Sequence, residues 1–271
     1  MPQSQPHETT AAGIRYQRRG AAAVVTIDRP QRRNAVDAAS AAALSAALDR
    51  FEADPAARVL VLCGAGPESF SAGFDLHDIA EPSDPGGLAR RLDDPAGPMG
   101  ITRRVASKPT IAAISGWCVG GGLELALWCD LRIAARGSTF GVFNRRWGVP
   151  LVDGGTQRLP RLVGLGRALD LILTGRPVSS DEALAIGLVT EIVAPTAHVE
   201  RALEIATGLA GVPQAALLAD RRSVLEGVGL RLADGLALEA RNAAATLQEA
   251  VAGAARFAAG AGRGGGADTG V

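Results

Sequence analysis

Short apolar segments rich in valine and isoleucine alternate with helix-like segments along the first 195 residues of the chain. Each apolar segment is bounded by glycine, proline or charged residues, as buried β-strands tend to be. The predicted strands lie at residues 21–28, 58–64, 110–116, 130–135 and 188–193. Strands that alternate with helices in this way indicate an α/β layer fold with substantial parallel pairing.

Two of the intervening helices have recognisable ends. Asp37 is placed to cap an alanine-rich helix that runs through Phe51. A second helix begins at Ser180 and can end at Gly187. Residues 81–100 form a long connection rich in turn-forming residues, a length that is typical of binding loops or disordered segments.

The hydrophobic pattern changes after Pro195, where no further strand is predicted. Alanine, leucine and valine then recur at three- and four-residue spacing, which is typical of helices. The predicted helices span residues 197–210, 213–228 and 231–257. We therefore expect an α/β core over residues 13–195 and a helical subdomain over residues 196–258. The flanking segments 1–12 and 259–271 are poor in core-forming residues, and we expect them to be mobile.

Composition and charge narrow the classes of function. The chain has 271 residues with 28 basic and 28 acidic side chains, so no bulk charge favours nucleic acid or an anionic membrane. Three cysteines, Cys63, Cys118 and Cys129, lie in apolar runs without metal-ligand spacing and are predicted to be reduced thiols. The sequence shows neither a secretory signal nor a run of 18 apolar residues. We expect a cytoplasmic protein without a metal site that binds neither nucleic acid nor membranes.

The most informative segment is a glycine-rich turn between a predicted strand and a predicted helix. Gly120, Gly121 and Gly122 follow the strand, and the helical segment LELALWCD follows the glycines. Glycines at such a turn let free backbone N–H groups face a ligand at the positive end of the helix dipole, which creates an oxyanion site. Glu124 places a carboxylate close to that site. This combination favours proton abstraction next to a carbonyl; the alternative is a tight structural turn with a solvated Glu124.

A second, independent element is the segment SAGFDL at residues 71–76. Ala72 lies beside Gly73, where a small residue next to a glycine can present another backbone amide. Two amides from separate loops can hold one developing oxyanion, and the loss of such a donor typically costs about 2.7 to 4 kcal/mol of transition-state stabilisation. The alternative is an ordinary loop before a short helix, with Asp75 as the helix cap.

These segments together resemble the crotonase family, also called the enoyl-CoA hydratase/isomerase family. The resemblance covers residues 13–257 and rests on five motifs in the same order: RPQRRNAV (29–36), FSAGFDL (70–76), KPTIAAISGWCVGGGLELALWCDLRIA (108–134), GGTQRLPRLVG (154–164) and ALAIGLVTEIV (183–193). It implies an α/β fold built as a crotonase-like spiral of β-β-α turns with a C-terminal helical subdomain. It also implies a homotrimer or hexamer that acts on an acyl-CoA thioester and uses no other cofactor.

The resemblance implies roles for individual residues. The amides of Ala72 and Gly121 match the two oxyanion-hole donors that polarise the thioester carbonyl. Glu124 matches the first of two catalytic glutamates of the hydratases, and Asn144 occupies the position of the second. The other candidates lie in segments that accommodate coenzyme A: Arg29, Arg33, Ala35, Val36, Ser71, Gly73, Asp75, Leu76, Gly120 and Gly122.

Asn144 leaves the pair of catalytic carboxylates incomplete, because an amide neither accepts nor releases a proton near neutral pH. A positioned acid or base typically contributes ~10² to 10⁴-fold to a rate. In one interpretation Asp153 replaces the missing acid, although it can equally cap the following helix. In a second, Glu124 alone moves a proton between carbons of the substrate. In a third, the protein hydrates its substrate slowly or binds acyl-CoA without turnover.

The predicted activity is the hydration of a 2-enoyl-CoA to a 3-hydroxyacyl-CoA. The alternatives are isomerisation of an enoyl-CoA, another thioester reaction such as hydrolysis or decarboxylation, and a non-catalytic acyl-CoA-binding or scaffold protein. Arg145, Arg146 and Trp147 either clamp an acidic or aromatic acyl group or form a surface arginine pair beside a buried tryptophan.

Overall fold

The computed structural model describes residues 8–9, 12–80 and 87–260 of the chain. They belong to two compact units, the first ending at Thr207 and the second beginning at Gly208. The first unit contains two β-sheets with helices, and the second contains helices. This α/β architecture with a helical C-terminal region confirms the predicted fold class.

A seven-stranded sheet forms the centre of the first unit, with the strand order β1-β2-β3-β4-β6-β8-β11. The strands β1, β2 and β3 pair antiparallel, and the remaining neighbours pair parallel. The bounds are β1 (Glu8–Thr9), β2 (Ile14–Arg19), β3 (Ala22–Ile27), β4 (Val59–Gly64), β6 (Thr110–Ile114), β8 (Leu131–Ala135) and β11 (Glu191–Val193). Every residue of β4 and β6 is buried, as expected for apolar strands in the middle of a parallel sheet.

A second sheet of four strands, which the sequence pattern did not predict, has the order β10-β9-β7-β5. Its strands are β5 (Ser69–Ser71), β7 (Trp117–Val119), β9 (Thr139–Gly141) and β10 (Val178–Ser179). Each strand has two or three residues, which is too short to show a hydrophobic period. β7 pairs with both β5 and β9, so this sheet places the glycine-rich turn next to the SAGFDL segment.

Helices surround the sheets and make up the second unit. Those of the first unit are α1 (Ala38–Ala53), α2 (Leu76–Ala80), α3 (Gly87–Asp93), α4 (Gly121–Trp128), α5 (Gly155–Val163), α6 (Leu165–Thr174) and α7 (Ser180–Ala185). α8 (His198–Gly211) crosses the division between the units and is followed by α9 (Gln214–Gly227), α10 (Leu232–Ala244) and α11 (Leu247–Ala258). Short 3-10 helices lie at Pro30–Arg32 and Phe143–Trp147. The predicted cap of α1 is confirmed, since the Ser40 N–H donates to the Asp37 carboxylate at 2.8 Å.

Several predicted boundaries differ from the structure. The connection at 81–100 contains α3, and residues 81–86 lie outside the described residues. The helix predicted at 231–257 is divided into α10 and α11, because the backbone at Thr246 starts a new helix. The strand predicted at 188–193 is limited to Glu191–Val193.

The predicted division of the chain after Pro195 falls before α8, whereas the compact units divide within this helix. In the predicted N-terminal tail, Glu8 and Thr9 pair with β2, and most of both predicted tails lies outside the described residues. Within the described ranges no single helix is long and apolar enough to cross a membrane. Taken together, α8 and α9 have the length and composition of a membrane span, but the chain bends by 111° between them.

The only lysine of the chain holds the C-terminal end of α1. Lys108 Nζ donates to the carbonyl oxygens of Asp54 at 3.0 Å and Ala57 at 2.8 Å, and to that of Phe51. The ammonium group also lies 4.2 Å from the centroid of the Phe51 ring. Burial lowers the pKa of Lys108, and the nearby acidic residues oppose this shift. Lys108 thus supplies charged donors to carbonyls at and just beyond the C-terminal end of α1.

Replacing Lys108 with methionine is expected to lower the free energy of unfolding by about 1 to 3 kcal/mol, because these carbonyls lose a charged donor. Urea unfolding followed by circular dichroism measures the change. Arg136→Met is the control, since it removes an exposed ion pair with Asp181 that is worth less than about 1 kcal/mol. Equal stabilities of Lys108→Met and the unmodified protein would contradict this role.

Candidate active site

The glycine-rich turn connects β7 to the N-terminus of α4. Gly120 has a φ of +56°, a conformation that favours glycine, and its N–H donates to the Gly141 carbonyl at 3.0 Å. Gly121 is the first residue of α4, so its N–H has no acceptor within the helix. The hydrogen bonds of the described residues include none from the Gly121 N–H. The structure therefore leaves this predicted oxyanion donor free.

The SAGFDL segment presents a different amide from the one predicted. The Ala72 N–H donates to the Arg33 carbonyl at 2.9 Å and is therefore not available to an oxyanion. Two residues later, the Phe74 N–H has no acceptor among the described residues. The amides on either side of it are engaged, Gly73 with the Ser71 hydroxyl and Asp75 with a backbone carbonyl. The free donor of this loop is thus Phe74, and the expectation for Ala72 is corrected.

The free amides of Phe74 and Gly121 lie side by side because both loops approach closely through glycines. A Cβ placed on Gly121 would lie 3.3 Å from the Phe74 nitrogen. A Cβ placed on Gly73, whose φ is +90°, would lie 2.5 Å from the Gly121 nitrogen. Two N–H groups from separate loops, neither with an acceptor among the described residues, therefore lie next to each other, as they must if both are to donate to one oxygen atom.

A left-handed turn at Arg33 and Asn34 explains why the Ala72 amide is occupied. Both residues have positive φ values, 50° and 56°, which are uncommon for residues other than glycine. The Asn34 side chain is fully buried, donates to the Ser69 carbonyl at 2.6 Å and accepts from the Arg29 N–H at 3.0 Å. These bonds hold the turn so that the Arg33 carbonyl faces Ala72. Sequence reasoning missed Asn34. The only signal in the sequence was that asparagine tolerates the left-handed backbone conformation better than most residues.

Glu124 lies in the first turn of α4, and only 2% of its surface is exposed. Its Oε1 accepts hydrogen bonds from the N–H groups of Asp153 at 2.9 Å and Gly155 at 2.7 Å. Burial raises the pKa of Glu124 to about 7; the Gly155 N–H opposes this shift, and the charge of Asp153 adds to it. Glu124 is therefore not the solvated N-terminal acid of the alternative interpretation. A carboxyl group that titrates near neutral pH can both accept and donate a proton.

Asp153 is buried beside Glu124, with 1% of its surface exposed. Its Oδ1 accepts from the Met99 N–H at 3.0 Å and from the Thr102 hydroxyl. Burial raises the pKa of Asp153, and these two hydrogen bonds oppose the shift. The alternative role as the cap of α5 is wrong, because Gly154 occupies the N-cap position and no side chain caps that helix.

Arg158 is a cation beside the two buried acids that sequence reasoning missed. Its guanidinium donates to the backbone carbonyls of Asp153 at 2.9 Å and Thr102 at 2.5 Å. Burial lowers the pKa of Arg158, whereas the nearby carboxyl groups of Glu124 and Asp153 raise it. Arg158 therefore fixes the backbone around Asp153 and compensates the charge of the two buried acids.

Asn144 lies in the 3-10 helix Phe143–Trp147. Its Nδ2 donates to the Val149 carbonyl at 2.7 Å, which fixes the orientation of the amide. The Oδ1 atom of Asn144 is buried and has no hydrogen-bond partner in the described part of the chain. It lies next to the glycine-rich turn, 3.7 Å from where a Cβ on Gly120 would be. Asn144 thus offers an acceptor, suited to a hydroxyl group or a water molecule, but no group that titrates.

A cleft of about 400 Å³ is lined in part by Phe74, Gly120 and Asn144, whereas Gly121, Glu124 and Asp153 do not belong to its lining. Its lining includes five of the residues predicted to contact the CoA ester, namely Arg33, Ala35, Asp75, Leu76 and Gly120. The other cleft residues are Gln31, Arg32, Ala72, Phe74, His77, Val119, Phe143, Asn144 and Trp147. Four further predicted residues, Val36, Ser71, Gly73 and Gly122, are buried and do not belong to this lining. They shape the backbone behind the cleft.

Arg29 does not serve the cleft as predicted. Its guanidinium pairs with the carboxylates of Asp37 at 2.6 Å and Asp75 at 3.2 Å, so its charge is compensated within the protein. Arg32 and Arg33 are exposed at the cleft, where an anionic group of a ligand can reach them. Trp147 is 70% exposed at the same cleft and is not the buried tryptophan of the alternative interpretation.

The chain matches known proteins over most of its length. The family model described as Enoyl-CoA hydratase/isomerase matches residues 17–259. The short-chain-enoyl-CoA hydratase of Clostridium acetobutylicum is 34% identical over 223 residues, which cover 82% of this chain and 85% of that protein. A probable enoyl-CoA hydratase of Rhizobium meliloti is 39% identical over 224 residues, covering 82% and 84%. The crystal structure of an enoyl-CoA hydratase from Mycobacterium marinum aligns with a TM-score of 0.84 and 33% identity, covering 91% of this chain and 96% of that one. The chain therefore belongs to the enoyl-CoA hydratase/isomerase family.

Proposed function

We propose that the protein is an enoyl-CoA hydratase, which adds water to a 2-enoyl-CoA and forms a 3-hydroxyacyl-CoA. The observation that carries this proposal is the buried carboxyl group of Glu124 in the first turn of α4, the helix that begins at the free amide of Gly121, with the free amide of Phe74 next to Gly121. The two N–H groups hold the thioester oxygen as it gains negative charge. Because the site is already arranged for that charge, little reorganisation accompanies the reaction.

In the proposed reaction Glu124 takes a proton from water while the water oxygen bonds to the β-carbon. The electron pair of the carbon–carbon double bond moves toward the thioester oxygen and forms an enolate, which the amides of Phe74 and Gly121 stabilise. The α-carbon then takes a proton from an acid, for which Asp153 is the candidate because its carboxyl is buried beside Glu124 and has a raised pKa. The free Oδ1 of Asn144 accepts a hydrogen bond from the attacking water.

Isomerisation is the second candidate, and Asn144 is the observation that favours it. An amide at this position leaves Glu124 as the acid/base group in the first turn of the helix that follows the glycine-rich turn. A single base can remove a proton from one carbon of a 3-enoyl-CoA and return it to another. The same oxyanion hole would also serve hydrolysis or decarboxylation, whereas a scaffold protein has no need for a buried acid with a pKa near 7.

We further propose a homotrimer or hexamer in the cytoplasm that uses no cofactor besides the CoA thioester substrate. Leu165, Leu169 and Leu173 are exposed at four-residue spacing along α6, and an apolar stripe of this kind supports a contact between subunits. The three buried cysteines are free thiols, which supports a reducing compartment. Size-exclusion chromatography with light scattering tests the number of subunits.

The proposed reaction is tested by incubating the purified protein in deuterated water with crotonyl-CoA and, separately, with a 3-enoyl-CoA. The absorbance of the conjugated thioester and the mass of the products are followed. Addition of water to crotonyl-CoA supports the hydratase, and Asp153→Asn then tests whether Asp153 is the acid. Migration of the double bond without addition of water supports the isomerase instead. If the protein neither adds water nor moves the double bond in either ester, both candidate functions are contradicted.

Replacing Asn144 with alanine is expected to lower the kcat for hydration of crotonyl-CoA roughly fivefold, since one hydrogen bond to the attacking water is worth about 1 kcal/mol. Asn144→Glu is expected to raise that rate if the only deficit of the site is a second carboxylate. Steady-state kinetics measures both variants, and Arg136→Ala, which removes an exposed ion pair outside the cleft lining, is the control. An unchanged kcat in Asn144→Ala would show that the amide does not hold the water.

A further inference from the structure

Arg91 is a cation near the catalytic groups that the proposed reaction does not use. It lies on α3, and only 15% of its side chain is exposed. Its guanidinium carbon is 4.0 Å from the centroid of the Phe74 ring, and Phe74 supplies one of the two free amides. A guanidinium stacked on an aromatic face is held in a defined position. Arg91 is therefore fixed relative to the proposed oxyanion hole.

Arg91 contacts both Phe74, which lines the cleft, and Pro98, which precedes the residue that holds Asp153. Its Nη2 donates to the Pro98 carbonyl at 3.1 Å. The next residue, Met99, donates its N–H to the Asp153 carboxylate. The methyl carbon of Met99 lies close to Gly121, 3.4 Å from where a Cβ on that glycine would be. Arg91 itself does not belong to the lining of the cleft. If coenzyme A occupies that cleft, Arg91 lies on the side where the acyl group extends.

The donors of Arg91 are only partly satisfied by the protein. Asp78 Oδ2 lies 3.2 Å from Nη1, and this carboxylate oxygen also accepts from the Ala38 N–H at 3.0 Å. Nε is buried and has no hydrogen-bond partner within the described ranges. A buried donor without an acceptor is unfavourable, and a bound ligand that supplies the acceptor removes this cost.

We propose that Arg91 binds a carboxylate on the acyl group, so that acidic enoyl-CoA esters are the preferred substrates. A planar guanidinium can donate from Nε and from one Nη to the two oxygens of a carboxylate. A hydrocarbon chain offers no acceptor and leaves the buried Nε unsatisfied. This inference rests on the proposed function, because the position of the thioester is taken from the amides of Phe74 and Gly121.

The test compares two CoA thioesters, one with a terminal carboxylate and one in which a methyl group removes that charge. Glutaconyl-CoA is crotonyl-CoA with a carboxylate on its terminal carbon, and its methyl ester has nearly the same shape without the charge. We expect kcat/KM of the unmodified protein to be at least about tenfold higher for the acid. Arg91→Met is expected to abolish this ratio by lowering kcat/KM for the acid to the value for the methyl ester. Arg90→Met, exposed on the same helix, is the control and is expected to keep the ratio.

Equal kcat/KM values for the two esters in the unmodified protein would overturn the proposal. An equal loss on both esters in Arg91→Met would also overturn it, because a residue with only a structural role affects all substrates alike. Calorimetric binding of the saturated analogues, glutaryl-CoA and its methyl ester, requires neither turnover nor a variant. If neither enoyl ester is hydrated, the proposed function fails. Tighter binding of glutaryl-CoA then still supports the carboxylate site, and equal binding of the two analogues overturns it.

Discussion

Replacing Glu124 with glutamine is expected to lower the kcat for hydration of crotonyl-CoA by about 10²- to 10⁴-fold, because an amide cannot take a proton from water. The glutamine oxygen can still accept from the N–H groups of Asp153 and Gly155, which now hold Oε1 at 2.9 and 2.7 Å. The backbone of the site is therefore expected to remain in place. Steady-state kinetics measures the loss, and calorimetric binding of the saturated butyryl-CoA, expected to be unchanged, is the control.

The same variant is expected to be more stable than the unmodified protein above neutral pH. Burial raises the pKa of Glu124 from 4.5 to about 7, so the folded state binds more protons than the unfolded state between these values. Stability from this group is therefore lost as the pH rises through that interval, by about 3 kcal/mol at most. Urea unfolding at pH 4 and pH 8 measures the effect. Glutamine removes the cost of burying a charged carboxylate, so the variant is expected to be more stable than the unmodified protein at pH 8 but not at pH 4. The same stability difference at both pH values would contradict the raised pKa.

Replacing Gly73 with alanine is expected to lower kcat/KM for crotonyl-CoA by about 10²- to 10³-fold, the usual effect of losing an oxyanion-hole donor. The added methyl group would lie 2.5 Å from the Gly121 nitrogen and 3.0 Å from the Gly122 nitrogen. The first distance is too short for a real contact and the neighbour is backbone, so the two loops must separate. The amides of Phe74 and Gly121 can then no longer hold the same oxygen atom.

Gly137→Ala is the matched control for Gly73→Ala. Gly137 has a φ of +87°, close to the +90° of Gly73, and a Cβ placed on it has no neighbour within 4 Å. Both substitutions therefore carry a similar backbone strain of about 1 to 2 kcal/mol, but only Gly73→Ala disturbs the two amides. Unfolding experiments are expected to show a loss of stability in both variants, with normal kcat/KM in Gly137→Ala. A similar loss of kcat/KM in both would mean that backbone strain, and not the contact with Gly121, is responsible.

The sequence by itself determined those features that depend on residue type and on short spacing. The strands β3, β4, β6 and β8 appear as apolar runs because both faces of a central parallel strand are buried. The glycine-rich turn and Glu124 lie within five residues of each other at a strand-to-helix junction, so their proximity follows from helix geometry alone. The order of five motifs was sufficient to predict the family to which the chain belongs.

The tertiary structure decided which of the candidate groups are free and which are engaged. The Ala72 amide is occupied by the Arg33 carbonyl, and the charge of Arg29 is compensated by two carboxylates from other segments. The pKa of Glu124 depends on burial and on amides that lie 29 and 31 residues further along the chain. Hydrogen-bond partners and burial come from residues that are distant in the chain, and a local pattern of residue types contains no information about them. The same amide, arginine or carboxylate is therefore structural or catalytic according to what the folded chain places beside it.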